Sequence, residues 1–446
     1  MSSPSQTIRD LPTGILVTAI GAVAAAVFIL LFHSQIMGFV VASGTNALPY
    51  TGPNLRTDYL LGVGWALVLF VFLALCPVSK QERQALIILW IARVFVTLVI
   101  FLAFESRYGL DMDGYFRHAI NPHFQTGWMR LGEGTQNVRI LTWLHLKLIP
   151  GSYHASKVGF SMIGLMAIFI SYKAAVRSFG RSSIGLLYVL GLFPSILFWS
   201  CHLGKEPIML LAVGFYLYAG VGFCTVRKRR DWILLACACI ITALIRMWYV
   251  PIFLLPLFMA IIVANRKKVS QWVFSLLIGF GLLVSVKVIS MSLNIADLGS
   301  LFEYRNYTTG AFAGGGSTFA AQRITGLSSA LRLLPEGIFT ALFRPLPLEL
   351  RNIFGHLQGI DNLVLLLLMI VGVIRTKLRE LADPIAIWTL LFIFLWASVY
   401  GLVTHNYGSL VRYKLQILPV FLTVLLYFAR PRRNKAPANS NQPCAA

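Results

Sequence analysis

Residues 84–104 read QALIILWIARVFVTLVIFLAF, an apolar run whose only charged side chain is Arg93. A helix needs about 20 such residues to cross roughly 30 Å of hydrocarbon. Similar runs recur along the 446-residue chain, which is 57% hydrophobic and only 12% charged. A soluble chain of this length carries about 25% charged residues. Its mean hydropathy of +0.75 points the same way. Membrane barrels show short alternating segments instead of continuous apolar runs, so a barrel is excluded. The expected fold is all-α and polytopic.

Working outward from that run, the periodicity predicts about twelve spans, with ends uncertain by a few residues. They lie near 14–33, 59–77, 84–104, 155–173, 183–200, 207–225, 232–246, 249–265, 271–292, 361–375, 384–403 and 412–429. Basic residues gather after alternate spans. The clusters are Lys80 with Arg83, Lys173 to Arg181, Arg227 to Arg230, Arg266 to Lys268, Arg375 to Arg379, and Arg430 to Lys435. Lys and Arg mark cytoplasmic loops, and in a twelve-span count every cluster falls on one face. Both termini are therefore expected in the cytoplasm. The polar start of the chain and the long run after it read as a first span, not a cleavable signal. Residues 1–429 form one membrane domain, and 430–446 form a basic tail expected to be disordered.

The formal net charge is +22. Because the excess sits in short loops, it reads as a topology signal, and nucleic acid is excluded as a partner. Part of it can also serve a phosphate or pyrophosphate ligand. The six cysteines form no framework and are read as free thiols. The cytoplasmic loops are too short for a nucleotide-binding domain. The chemistry is expected on the other face, where two large loops lie at 105–154 and 294–360. Within them, residues 137–149 (NVRILTWLHLKLI) place Val138, Leu141, Leu144 and Leu148 on one face of an interfacial helix. Residues 331–356, apolar but broken by prolines, read as a re-entrant or interfacial segment. Gly314 to Gly316 are a hinge or close-approach loop.

The candidate chemistry starts at residues 107–123, RYGLDMDGYFRHAINPH, where Asp111 and Asp113 stand two residues apart. In a loop, one can stay ionised while the other pairs with Arg107 or Arg117. A carboxylate near an acceptor hydroxyl removes its proton, and one beside a divalent metal ligates it. An acidic loop that only bridges its own arginines does neither. Residues 194–207, PSILFWSCHLGKEP, end one span and open the next with Lys205 and Glu206. A lysine at a helix N-terminus favours an anion there, and Glu206 is a second candidate acid or base; both residues also fit a plain membrane boundary. Arg246, Arg344, Arg412 and Lys414 are cations at the same face. If they converge they suit a pyrophosphate, and if separate they mark the interface. Arg93 and Lys287 fall inside predicted spans and must face protein or water. The histidines show no metal-ligand spacing, so no fixed zinc site is predicted, while Asp111 and Asp113 serve either a divalent metal or a bare base.

In order, the Asp111-x-Asp113-x-Tyr115 loop, PSILFWSCHLGKEP, the Arg246 bend, LFRPLP and HNYGSLVRYKLQILP resemble bacterial envelope-polysaccharide proteins. These are the GT-C glycosyltransferases and the O-antigen-type polysaccharide polymerases. The likeness covers about residues 105–420 and is one of layout and short motifs. It implies an inner-membrane enzyme working outside on a polyprenyl-linked saccharide, beside other polysaccharide-assembly proteins. An acidic residue in an early outer loop (Asp111 or Asp113) would activate the acceptor or bind metal. Lys205, Arg246 and Arg344 would hold the donor phosphate. The chain departs from GT-C enzymes in carrying its acidic loop after the third span instead of the first. Polymerases rely on arginines in two large outer loops, which this chain also has.

The leading expectation is transfer of a sugar or glycan from a polyprenyl-phosphate or -pyrophosphate carrier, with Asp113 as base. An activated lipid donor brings its own leaving group, so no nucleotide domain is required. A carrier or flippase for a polysaccharide precursor is the alternative, disfavoured because the polar segments concentrate on one face and no inverted repeat is visible. A scaffold of an export complex is the third.

Overall fold

The computed structural model describes Gly38 and residues 55–431, apart from 106–107, 109, 125–126, 149–150, 265–268, 293–297, 312–316, 320–321 and 351–352. The predicted first span, Arg107, Gly314 to Gly316, the Arg266 to Lys268 cluster and the tail from residue 432 lie outside the described residues.

The described chain is helical, with no strand beyond an isolated bridge between Thr318 and Asn406. In chain order the helices are α1 (Leu55–Leu75), α2 (Lys80–Glu105), α3 (Asp111–Ile120), α4 (Gly134–Leu148), α5 (Tyr153–Phe179) and α6 (Ile184–Leu192). There follow α7 (Pro194–Trp199), α8 (Lys205–Cys224), α9 (Arg229–Arg246), α10 (Val250–Ala264), α11 (Val269–Ser292) and α12 (Leu298–Ala311). The last are α13 (Leu327–Phe343), α14 (Ile353–Arg375), α15 (Pro384–Val403), α16 (Tyr407–Lys414) and α17 (Leu418–Ala429). Local chemistry sets the boundaries. Ser152 caps α5 by accepting from Ala155 N at 3.0 Å, and Gly180 ends it with φ +67°. Asp383 caps α15, whose first residue is Pro384.

Among the described residues, seven helical runs are long and apolar enough to cross a membrane, or eight if α16 and α17 count as one bent span. This is a helical membrane protein. The predicted first span lies outside these residues, and the described ones differ from the predicted spans in three places. The predicted span at 183–200 is broken at Phe193 (φ −57°, ψ 120°). A residue before proline is pushed out of the helical region, so Pro194 divides the segment into α6 and α7. The predicted spans at 232–246 and 249–265 form one 34-residue run, but Arg246 is non-helical (φ −150°, ψ 80°). Tyr216, deep in α8, donates to the Phe253 carbonyl at 2.8 Å. That bond requires α10 to fold back beside α8, so the run is a hairpin. The predicted last span bends by 70° between α16 and α17.

Lipid is as apolar as leucine, so packing and hydrogen bonds, not burial from water, hold such helices together. Trp388 Nε1 donates to Tyr216 Oη at 2.6 Å, and Phe253 and Phe392 pack on the Tyr216 ring. Gly337 of α13 lies against Gly401 of α15; a Cβ on Gly401 would stand 2.2 Å from the Gly337 carbonyl oxygen. Two glycines are what let these backbones cross.

Charged contacts gather at the two ends of the bundle. At one end are Lys173–Glu82 (2.9 Å), Arg177–Asp231 (2.6 Å) and Arg430–Glu380 (2.9 Å), tied together by the stack of Phe179 on Tyr427. The described basic clusters thus share one end. Asp58, Glu105, Asp111, Glu206, Arg246 and Arg412 occupy the other. Buried Arg93 donates to the carbonyls of Ser161 (3.1 Å) and Ser200 (2.5 Å) and to Ser200 Oγ (2.9 Å), closing the C-terminal end of α7. Lys287 is instead exposed near the end of α11, where a long aliphatic stem lets the ammonium snorkel.

Candidate functional site

The segment read as an acidic loop is helix α3. Its apolar residues Met112, Tyr115, Phe116 and Ala119 are buried, and both aspartates sit in its first turn, where the helix dipole favours negative charge. Two positions along a helix rotate a side chain by about 200°, so the aspartates face apart. Asp113 pairs with Arg117 of its own helix at 2.6 Å. Asp111 receives Arg412 Nη2 at 3.1 Å, while its side chain stays 60% exposed.

Arg412, on α16, makes the central link. Its Nη2 and Nε lie 3.0 and 3.2 Å from Glu206 Oε1. Glu206 is fully buried in the first turn of α8 and also receives His202 Nε2 at 3.1 Å. Arg246, at the bend after α9, places Nη2 3.6 Å from Glu206 Oε1 and lies 4.0 Å over the Tyr413 ring. α8 runs beside α5, with Gly214 against the Ala167 carbonyl. At 1.5 Å per residue, that contact sets Glu206 about 9 Å below the start of α5.

Next to this cluster is a cavity of about 320 Å³ lined by Thr135, Arg139, Lys205, Arg246, Trp248 and Tyr413, among others. Lys205 donates to Thr135 Oγ1 at 2.8 Å. Burial, reinforced by the Asp111 and Glu206 carboxylates, raises the Tyr115 phenol above its usual range, so it stays neutral beside Asp111. A second, more apolar cavity of about 240 Å³ opens near Asp383 and Tyr427, at the opposite end of the bundle.

Of the residues singled out in the sequence, Asp111, Glu206, Arg246 and Arg412 meet directly, and Lys205 adjoins them across the cavity. Asp113 and Arg117 form a pair of their own. Arg344 pairs with Glu349 at 2.6 Å, away from the cavity. Burial acts to raise the Glu349 carboxyl, but the Arg344 guanidinium and the Leu346 N–H hold it below its usual range. Lys414, next to Arg412 in sequence, turns away to Asn362 Oδ1 at 2.8 Å. Arg107 lies outside the described residues. Among the described residues, no three His, Cys, Asp or Glu side chains come together as a metal site.

The sequence reading passed over four contributors: His202, Thr135, Arg139 and Tyr413. His202 precedes α8, and the extended Gly204 (φ −178°, ψ −173°) turns it back onto Glu206, a contact that the sequence spacing alone does not reveal. The others have no local signal, because their role comes from helices far apart in the chain.

Comparison with known protein families, curated proteins and solved structures gives no match.

Proposed function

We propose that this protein transfers a sugar or glycan from a polyprenyl-phosphate or -pyrophosphate carrier, outside the cytoplasmic membrane of a bacterium, during synthesis of an envelope polysaccharide. The observation that carries the reading is the chain Asp111–Arg412–Glu206–Arg246 beside a polar cavity. It offers one accessible carboxylate next to fixed guanidinium groups. A half-exposed carboxylate in reach of an acceptor hydroxyl is suited to act as general base. Preorganised cations stabilise the charge that develops on a departing phosphate. Glu206 suits neither task, because it is buried and occupied by two arginines and a histidine. In this reading Asp111 is the base, and Glu206 is the counter-ion that holds Arg412 and Arg246 in place.

The test is the profile of lipid-linked glycans in cells carrying Asp111→Asn, compared with wild type and a deletion. The expected result is a defect matching the deletion, with transfer down about a hundredfold or more and protein abundance unchanged. Single repeat units left on the carrier indicate a polymerase, and a glycan short of one sugar indicates a single-addition transferase. Normal glycans in Asp111→Asn would refute Asp111 as the base.

A further inference from the structure

A polar clasp outside the Asp111–Arg412–Glu206 cluster holds the helix that carries Arg412. Its centre is Arg305 of α12, which is buried. Arg305 Nε donates to the Leu402 carbonyl at 2.8 Å. Its Nη1 donates to the Gln322 carbonyl at 2.7 Å and to Asn306 Oδ1 at 2.9 Å, and its Nη2 lies 2.6 Å from His405 Nε2. One guanidinium thus joins α12, the loop ahead of α13, and the turn from α15 into α16.

Backbone contacts complete the clasp. Phe319 N donates to the His405 carbonyl at 3.1 Å, and Tyr407 N donates to the Ser317 carbonyl at 3.0 Å. The Phe319 ring stacks on Tyr407 with centroids 4.5 Å apart. Asn306 Oδ1 accepts from Ile324 N at 3.1 Å, and its Nδ2 donates to the Ile324 carbonyl at 2.8 Å. Asn406 caps α16 by accepting from Ser409 N at 3.1 Å, and the same oxygen takes Ser317 Oγ at 2.9 Å. The start of α16 is therefore set by a loop some 90 positions earlier in the chain. Its other end is held by Lys414 on Asn362. Arg412 lies between these two anchors, about 7.5 Å along the axis from Tyr407.

His405 is the member of the clasp that can change state. An arginine only donates, so Nε2 accepts and the ring is neutral while the clasp is closed. A proton on Nε2 removes that acceptor and sets two cations against each other. Arg305 of α12 is the charged group facing the ring, and no carboxylate acts on it. Phe319 covers a second side, with ring centroids 5.4 Å apart. Beyond it is Tyr407 of α16, with Arg344 over its ring at 5.4 Å and Glu336 and Glu349 acting on its phenol. Burial, together with the Arg305 charge, lowers the His405 pKa to about 4 from an ordinary value near 6.5. A released ring regains the ordinary value. Closure is thus fully favoured above about pH 6.5 and weakens as the pH falls towards 4.

We infer that Arg305 is a positioning residue for Arg412: the clasp it closes fixes α16, and a proton on His405 opens the clasp and lets α16 pivot about Lys414. The consequence for transfer rests on the reading above; the clasp does not.

The experiment is hydrogen exchange of the full chain in detergent, read by mass spectrometry at pH 7 and pH 5 and corrected for the intrinsic pH dependence of exchange. In wild type, peptides reporting the Phe319 and Tyr407 amides should lose about tenfold or more in protection at pH 5. Peptides from the middle of α8 should keep theirs. His405→Gln, whose amide oxygen accepts from Arg305 but takes up no proton, should stay protected at pH 5. Arg305→Gln should lose protection at both pH values. Protection of α8 at pH 7 reports whether each variant is folded, and the wild-type comparison needs no variant. Unchanged protection in wild type at pH 5, an equal loss in α8, or a loss in folded His405→Gln like that of wild type would each overturn the clasp. In cells grown at an external pH of 5, transfer should fall in wild type and be restored by His405→Gln. An open clasp with undiminished transfer would overturn the positioning of Arg412. Normal glycans in Asp111→Asn would refute Asp111 as the base and leave the exchange result to judge the clasp alone.

Discussion

Two groups of ionised side chains sit at the same end of the bundle and differ in how their charge is closed. Around α1, α2 and α5, Asp58 meets His154 Nδ1 and Glu105 meets Lys157 Nζ, with Tyr153 Oη donating to Glu105 at 3.1 Å. Each carboxylate has a partner of its own, all five side chains are buried, and none lines the cavity. Around α3, α8 and α16, Glu206 is shared by Arg412, Arg246 and His202, and with Lys205 alongside three cations face the two carboxylates Asp111 and Glu206. The first arrangement is complete without a ligand; the second is not. Charges in lipid are costly enough that each needs a reason. Closed pairs find it in fixing helix to helix, and open clusters find it in a ligand.

The sharpest break in that comparison is Glu206→Ala. It leaves Arg246 without a carboxylate and Arg412 with only the exposed Asp111, a loss of about 3–5 kcal/mol for a broken buried pair. The unfolding midpoint in detergent should fall steeply and transfer should disappear together. Lys157→Met should cost a similar amount by stranding the Glu105 carboxylate. Here Lys157→Met with Glu105→Gln should recover most of the midpoint and retain transfer, because a closed pair can be replaced by neutral groups. If the double variant stays inactive while folded, the pair is not merely structural and the contrast fails.

His145 provides a smaller, pH-dependent test. It packs beside Gly159 and Ser156, and burial lowers its pKa to about 4 from an ordinary value near 6.5. Between those values the unfolded chain binds a proton that the folded chain refuses, so stability is full above about pH 6.5 and declines as the pH falls towards 4. His145→Phe should flatten that decline in unfolding midpoints measured from pH 7 to 4; an unchanged slope would move the effect to another group. The smallest effect is expected at Asp113, whose pair with Arg117 is an exposed i, i+4 contact. Asp113→Asn should cost about 0.3–0.5 kcal/mol and leave the glycan profile normal. A null profile in that variant would exchange the roles of the two aspartates.

Membrane class, the alternation of basic loops and the interest of Asp111, Lys205, Glu206, Arg246 and Arg412 were legible in the chain, since hydropathy and charge are written residue by residue. Span number was less so. The Arg246 bend falls where the sequence reading separates two runs, but Pro194 turns one apolar run into two short helices, which apolarity alone does not reveal. A helix was expected over 137–149, and the structure has one at Gly134–Leu148 whose expected apolar stripe is split. Leu144 and Leu148 are exposed, while Asn137, Val138 and Thr142 are buried against the bundle.

Composition therefore established that this chain crosses a membrane and which of its charges were worth following. Which aspartate meets Arg412, and through it Glu206, depended on the rotation of α3 and the docking of α16 against α8. Asp111 and Arg412 are 301 positions apart, and no local pattern encodes a contact over that distance. It exists only once the helices between them have packed.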